Sequence, residues 1–169
     1  WEELQFFFDY QIKRPDLRND VLLEQVHWAT NRHLDWVELK VFAFDHRSQM
    51  EEMQGATAEK IGEFKSLCLQ AALQVSGGEK GFGILCDGRL GQEALFTAAD
   101  TDLWVGRPAE WPGSRPLDIE PDLGADFGRL SEWPRDQVVK VLCFCHPDDV
   151  HGLWKQQILT VTRLFEACQ

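Results

Sequence analysis

From residue 39 onward, short apolar runs alternate with longer amphipathic segments. The runs at 39–45, 82–86, 103–105 and 138–145 have strand length and are rich in β-branched and aromatic side chains, so each predicts a β-strand. In the segments 58–75, 92–99 and 149–168, apolar residues recur at spacings of three and four, which predicts three helices. We therefore expect four β/α units in this part of the chain.

Local signals mark some of these boundaries. Thr57 is a suitable N-cap for the first helix, and Gly77-Gly78 provides a stop at its end. The connection at 106–136, by contrast, holds five of the seven prolines and no apolar run. A connection of that length is usually either functional or disordered.

Strands that alternate with helices predict an α/β fold with a parallel sheet covered by helices. Four units fit either a small open sheet or half of an eight-stranded α/β barrel, which takes about 250 residues. The chain has no G-x-G-x-x-G or Walker-type loop that would favour a nucleotide-binding open sheet. Residues 1–38 carry mixed signals, among them an aromatic cluster at 6–8 and a short helical repeat at 22–29, and we interpret them as a connector or the tail of a preceding domain.

Composition narrows the possible partners. The 169 residues carry a net charge of −11 and are 44% hydrophobic, which predicts a soluble globular domain and argues against nucleic acid or an anionic membrane as partner. Because no apolar stretch approaches the roughly 18 residues of a membrane span and no leader is recognisable, the expected compartment is the cytoplasm. The first residue is Trp1 and the last predicted helix lacks a stop signal, so we expect a piece of a longer polypeptide.

The cysteines predict no metal site. There are five of them, an odd number without C-x-x-C spacing, which indicates reduced core thiols rather than disulfides or zinc ligands. Cys143 and Cys145 alternate with His146 along the predicted strand, so the two thiols face away from that imidazole.

The most unusual position in the pattern is Lys140, which lies inside the apolar run at 138–145. Lysine is rarely buried without a partner. Alternation places Lys140 on one face with Leu142 and Phe144, and if that face lines a barrel, desolvation disfavours the ammonium form and yields a base or an imine-forming amine. The alternative is a lysine at a frayed strand start that reaches water.

Polar residues follow the predicted strands, at the edge where α/β folds place their active sites. Asp45 shares a face with Val41 and Ala43, so its carboxylate could meet Lys140 across the mouth of a barrel and assist proton transfer. A salt bridge or a helix cap at the strand end is equally open. Further candidates, each of which could also be a solvated loop charge, are Asp87, Arg89, Arg107, Glu110 and Arg115.

Four stretches together resemble one known family. They are residues 43–49 (AFDHRSQ), 83–91 (GILCDGRLG), 104–117 (WVGRPAEWPGSRPL) and 138–141 (VVKV). They look like the aldolase-type domain DUF2090, which is found fused behind the sugar kinase of myo-inositol breakdown, the 5-dehydro-2-deoxygluconokinase. The resemblance covers about 39–169, so residues 1–38 look like the segment that joins kinase to aldolase.

This resemblance implies a (β/α)8 TIM barrel, of which the chain covers roughly the first four units. It implies an aldolase that cleaves 5-dehydro-2-deoxygluconate 6-phosphate into dihydroxyacetone phosphate and malonate semialdehyde through a lysine imine, without a metal or another cofactor. The imine-forming lysine and the phosphate site of that pattern lie on later strands, beyond Gln169. Imine formation by Lys140 itself stays open.

The tagatose-bisphosphate aldolases are more distantly similar. Their first-strand Asp-Gln-Arg matches Asp45, His46 and Arg47, with His46 in place of glutamine. Their second-strand Asp-Pro-Glu-Tyr-Gly matches Asp87 and Gly91, with Arg89 in place of glutamate, and their fourth-strand active-site lysine falls on Lys140. The resemblance thus implies Lys140 and Asp45 as catalytic residues, and as substrate contacts His46, Arg47, Asp87, Arg89, Arg107 and Glu110.

The same resemblance implies the partners. They are a phosphorylated keto-sugar acid as substrate, the fused sugar kinase, and further copies of the chain in a homo-oligomer. Because half a barrel has an open sheet edge on each side, we expect this piece alone to be inactive and prone to associate. A function of a different class is that of a non-catalytic appended domain that positions or oligomerises the upstream kinase.

Overall fold

The computed structural model describes residues 38–146 and 148–169. The aromatic cluster and the helical repeat noted within residues 1–37 lie outside this part. The strands are β1 (Lys40–Ala43), β2 (Phe82–Leu85), β3 (Trp104–Pro108) and β4 (Val138–Lys140). The α-helices are α1 (Ser48–Glu51), α2 (Ala58–Ser76), α3 (Gln92–Ala98) and α4 (His151–Ala167), and two 3₁₀ helices span Pro121–Leu123 and Gly128–Glu132.

The four strands form one parallel sheet in the order β1-β2-β3-β4, so each strand pairs with the next one in sequence. Phe42 pairs with Ile84, Ile84 with Val105, and Pro108 with Lys140. The predicted α/β fold with a parallel sheet is thereby confirmed. Consecutive parallel strands of this kind are compatible with part of a TIM barrel.

The long helix α2 begins and ends where its sequence signals predicted. The Thr57 hydroxyl accepts a hydrogen bond from the Lys60 backbone N–H at 3.3 Å and satisfies one free donor of the first turn. At the other end Gly77 has a left-handed backbone with φ of +56°, and its N–H donates to the Leu73 carbonyl at 3.1 Å. The structure confirms both the cap and the stop.

One face of the sheet packs against α2 and α3. Ile84 on β2 and Val105 on β3 point into this core, together with Phe44 directly after β1. The helices contribute Leu69 and Ala94. On the opposite face the Trp104 side chain lies over two glycines. A Cβ built on Gly106 would lie 2.7 Å from Trp104 Cη2 and 2.5 Å from Leu85 Cδ2, so only glycine leaves room there for the indole.

The connection between β3 and β4 is ordered. A bridge between Glu110 and Ile119 closes a loop, residues 111–118, in which the Trp111 N–H donates to the Asp118 carbonyl at 2.8 Å. The two 3₁₀ helices follow, and this connection packs against α4 in a second apolar core of Ala109, Leu117, Ile119, Leu123, Phe127, Leu130 and Leu164. The connection therefore covers the part of the sheet that a helix after β3 would otherwise cover.

Strand β4 is shorter than the apolar run at 138–145 predicted. The strand ends at Lys140, because its neighbour β3 ends at Pro108 and the chain turns away there into the bridge at Glu110. Side-chain alternation nevertheless continues beyond the strand, since Val141 and Cys143 pack against the second core while Leu142 and Phe144 are 48% and 46% exposed. Conversely, β3 extends to Pro108, beyond the predicted 103–105, because Arg107 and Pro108 find partners on β4.

Candidate active site at the carboxyl edge of the sheet

Charged side chains from three strand ends meet at one edge of the sheet. Lys140 is the last residue of β4, Asp45 lies two residues beyond β1, and Glu110 lies two residues beyond β3. The Lys140 Nζ lies 3.1 Å from Asp45 Oδ2 and 3.1 Å from Glu110 Oε1. The structure therefore places the lysine and the carboxylate of Asp45 in contact, as side-chain alternation indicated.

Arg47 extends this group into an ionic cluster of five residues, Asp45, Arg47, Glu110, Glu120 and Lys140. Its Nη2 donates to Glu110 Oε1 at 2.9 Å and its Nη1 to Glu120 Oε1 at 2.8 Å. Nη1 also donates to the Glu110 backbone carbonyl at 2.6 Å. With three carboxylates and two cations, the ionic cluster has one negative charge in excess.

Lys140 is less desolvated than its apolar run predicted. Its side chain is 28% exposed, and its charge is compensated by two carboxylates rather than enclosed among apolar groups. Two acidic side chains therefore lie beside the Lys140 amine, where the apolar run predicted apolar neighbours.

Two polar atoms of the ionic cluster have no partner. Within the described part of the chain, the buried Glu110 Oε2 accepts no hydrogen bond and the buried Arg47 Nε donates none. Buried polar atoms are nearly always paired, so an unpaired carboxylate oxygen beside a lysine is an acceptor that a ligand hydroxyl could use. Burial raises the pKa of Glu120, against the opposing effect of its hydrogen bond and charge interaction with Arg47.

A second lysine–carboxylate pair, Lys65 with Asp87, lies nearby and was not predicted from the sequence. Lys65 on α2 is fully buried; its Nζ contacts Asp87 Oδ1 and donates to the His46 carbonyl at 2.9 Å. Asp87 Oδ2 accepts from the Leu90 backbone N–H at 2.7 Å, so both carboxylate oxygens are occupied. Asp87 therefore joins the loops after β1 and β2, and its role as a substrate contact stays a prediction.

The signal for Lys65 was present in the chain. It lies on the apolar stripe of α2, four residues after Ile61 and three before Cys68. A lysine on an apolar helix face is as unusual as Lys140 in an apolar strand. The helix was predicted from the apolar positions around Lys65, and this pattern does not single out the lysine between them.

Two other sequence candidates lie at the rim of the site. The His46 side chain is exposed, and only its backbone carbonyl joins the buried pair. Arg89 is ion-paired with Glu51 on α1 at 2.5 Å and lies 5.3 Å from the centre of the Trp111 ring. Arg115 contacts Asp149 just before α4, away from the ionic cluster.

Arg107 is not part of the ionic cluster. It pairs in register with Val139, whereas Pro108 pairs with Lys140, so the Arg107 and Lys140 side chains leave the sheet on opposite faces. The Arg107 guanidinium lies 3.7 Å from the centre of the Trp133 ring, in a cleft beside Gly88. Arg107 therefore lies outside the ionic cluster, and its role as a substrate contact stays a prediction.

Metal-binding geometry is not found among the described residues, where no group of three or more histidine, cysteine or acidic side chains is arranged to hold an ion. The Cys143 and Cys145 Sγ atoms are 3.5 Å apart, on one side of the chain. No helix within the described ranges has the length and apolarity that a membrane crossing requires.

Comparisons with known proteins give one family match. A family model described as "Uncharacterized protein conserved in bacteria (DUF2090)" matches residues 3–169. No curated protein and no solved structure matches the chain.

Proposed function

Because the chain belongs to the DUF2090 family and brings charged residues together at the carboxyl edge of its sheet, we propose that it forms the first half of the barrel of a lysine-imine aldolase. The reaction is the cleavage of 5-dehydro-2-deoxygluconate 6-phosphate into dihydroxyacetone phosphate and malonate semialdehyde. The observation that carries this function is the ammonium group of Lys140, held between Asp45 and Glu110 and still partly exposed.

A complete barrel would close the sheet. Among the described strands, β1 and β4 are the two outer ones, and each has one edge without a neighbour. Apolar side chains are exposed on or beside both, with Val41 on β1 and Leu142 and Phe144 after β4. Four further strands would pair these edges and cover the apolar side chains, as in an eight-stranded barrel.

The chemistry proposed for this edge is a retro-aldol cleavage. A lysine amine condenses with the C5 ketone of the substrate and releases water. A base removes the proton of the C3 hydroxyl, the C3–C4 bond breaks, and its electron pair moves to the iminium nitrogen to give an enamine. Carbons 1 to 3 leave as malonate semialdehyde, and protonation of C4 followed by hydrolysis of the imine releases dihydroxyacetone phosphate.

The ionic cluster supplies the proton-transfer groups of this reaction. Asp45 takes the hydroxyl proton, and Lys140, as an ammonium group, donates a hydrogen bond to the substrate oxygen beside it. Glu110 and Arg47 hold Lys140 in place through the shared Glu110 Oε1. His46 and Arg89 at the rim are the remaining candidates for contact with the substrate.

Trapping the imine in the complete natural protein tests this function. The protein is incubated with substrate and borohydride, and peptide mapping by mass spectrometry locates the reduced adduct. We expect substrate-dependent cleavage and an adduct on a lysine of a later strand, with Lys140 unmodified. An adduct on Lys140 would assign the imine to that residue and remove its proposed proton-transfer role. Absence of both cleavage and adduct would contradict the aldolase function and favour the non-catalytic appended domain.

A further inference from the structure

Arg107 is a half-buried cation whose charge no carboxylate compensates directly. None of the carboxylate oxygens in residues 38–146 and 148–169 lies within 4.0 Å of its guanidinium, which sets it apart from Arg47 with its two acidic partners. Its Nη1 donates to Gln137 Oε1 at 3.3 Å, and its buried Nε has no hydrogen-bond partner in this part of the chain. Burial lowers the pKa of Arg107, with an opposing effect from the charge of Asp122.

The edge of the Arg107 guanidinium formed by Nε and Nη2 has no hydrogen-bond partner among the described residues, and this edge of an arginine is suited to binding oxyanions. Since Nη1 is used by Gln137, the parallel N–H groups of Nε and Nη2 are left, and these can donate to two oxygens of one carboxylate or phosphate. The Trp133 ring, 3.7 Å below, fixes the plane in which that edge lies.

Glycine at position 88 keeps the Nη2 end clear. A Cβ there would lie 2.6 Å from Arg107 Nη2, so any other residue would displace the guanidinium. Arg47 and Arg89 also contribute to the wall of the partly open cleft on this side.

Two of the three acidic residues that line this cleft form ion pairs with residues other than Arg107. Asp87 is paired with Lys65 and Glu120 with Arg47. Asp122 is the one lining carboxylate without an ion pair among the described residues, and it lies beyond 4.0 Å from Arg107. Arg107 and Asp122 are therefore the two charged groups of the cleft lining without a direct ion pair in the described part of the chain.

We propose that the cleft beside Arg107, which adjoins the ionic cluster, is an oxyanion-binding site that takes the carboxylate or phosphate group of a small ligand through Arg107 Nε and Nη2. The Arg107 and Lys140 side chains leave the sheet on opposite faces, and anion binding at Arg107 can be measured without the aldolase reaction. Arg47 connects the two regions, because it lines the cleft and also binds Glu110 of the ionic cluster.

Arginine side-chain NMR tests this site directly. The 15N-labelled chain is titrated with inorganic phosphate and, separately, with malonate, at constant ionic strength and neutral pH. We expect a saturable shift of the Arg107 Nε–H signal with at least one anion; the tighter of the two identifies a phosphate or a carboxylate as the bound group. No saturable shift with either anion at millimolar concentrations would overturn the site.

Three variants make the test specific. Arg107→Lys keeps the charge but loses the paired N–H edge, and Gly88→Ala places a methyl group against Nη2; in each, the affinity should fall by about tenfold or more. The control is Arg135→Gln, which removes an exposed arginine in the same connection and should bind as the unchanged chain does. Unchanged affinity in both Arg107→Lys and Gly88→Ala would also overturn the site. If one of them fails to fold, the other variant and the titration of the unchanged chain decide.

Discussion

Two lysines contact carboxylates at the same edge of the sheet, and their surroundings differ. Lys65 is 0% exposed and lies behind the strand ends, where it joins Asp87 to the His46 carbonyl. Lys140 is 28% exposed and shares its two carboxylates with an ionic cluster that has an unpaired oxygen at Glu110 Oε2. The same pair of chemical groups is enclosed in one place and open to a ligand in the other.

This difference separates a structural pair from the pair that we propose to be reactive. The enclosed pair can only hold loops together, because neither partner has surface left for another molecule. The open pair can exchange a carboxylate–lysine contact for a contact with a substrate. If burial were the criterion for a functional lysine, Lys65 would be chosen. If the criteria are partial exposure and an unpaired polar atom nearby, Lys140 is chosen.

The largest expected effect is on stability, from Lys65→Met. The substitution leaves the Asp87 carboxylate buried and without its cation, which costs about 3–5 kcal/mol. Urea unfolding of the chain, followed by circular dichroism, measures the loss. Lys60→Met on the same helix is the control, since Lys60 is exposed and should change the free energy of unfolding by about 0.5 kcal/mol or less. Equal stability of the two variants would contradict the interpretation of Lys65 and Asp87 as a structural pair.

Gly106→Ala tests whether the sheet face below Lys140 is packed as closely as the structure has it. The added methyl group would overlap Leu85 Cδ2 and the Trp104 ring, so the free energy of unfolding should fall by about 1–3 kcal/mol. Gly152→Ala on α4 is the matched control, because a Cβ there meets nothing within 4 Å. It should stabilise the chain by about 0.5–1 kcal/mol. A neutral Gly106→Ala would mean that Trp104 does not lie over Gly106.

A smaller effect is expected for Glu120→Gln, as a change in pH dependence. Burial raises the pKa of Glu120 from its ordinary value of 4.5, so the folded chain binds this proton more tightly than the unfolded chain. The contribution of Glu120 to the free energy of unfolding is therefore greatest at low pH, and it falls as the pH rises from about 4.5 through the raised pKa. Glutamine keeps an acceptor for Arg47 but does not ionise.

The stability curves of both proteins are measured by chemical unfolding at successive pH values. Subtracting the curve of Glu120→Gln from that of the unchanged chain should leave a difference that declines with rising pH across this window. A difference that is flat, or that rises with pH, would show that the Glu120 carboxylate is not desolvated beside Arg47.

Much of the fold followed from local patterns. The α/β order came from periodicity, the ends of α2 from Thr57 and Gly77, and the Lys140–Asp45 contact from alternation along two strands. Local patterns could not give the end of β4, because that depends on where β3 turns away. Nor could they give the contact of Arg47 with Glu120, 73 positions later, which exists only because the proline-rich connection folds back over the sheet.

The central claim is that Lys140 and Asp45 carry out proton transfer in the cleavage of a phosphorylated keto-sugar acid. The direct measurement is kcat/KM for 5-dehydro-2-deoxygluconate 6-phosphate in the complete natural protein carrying Lys140→Met, with Lys155→Met, an exposed position on α4, as control. We predict a loss of about 100-fold to 10,000-fold for Lys140→Met, with the unfolding midpoint within a few degrees of the control. Cleavage by Lys140→Met at the rate of the control, with the fold intact, would contradict the account.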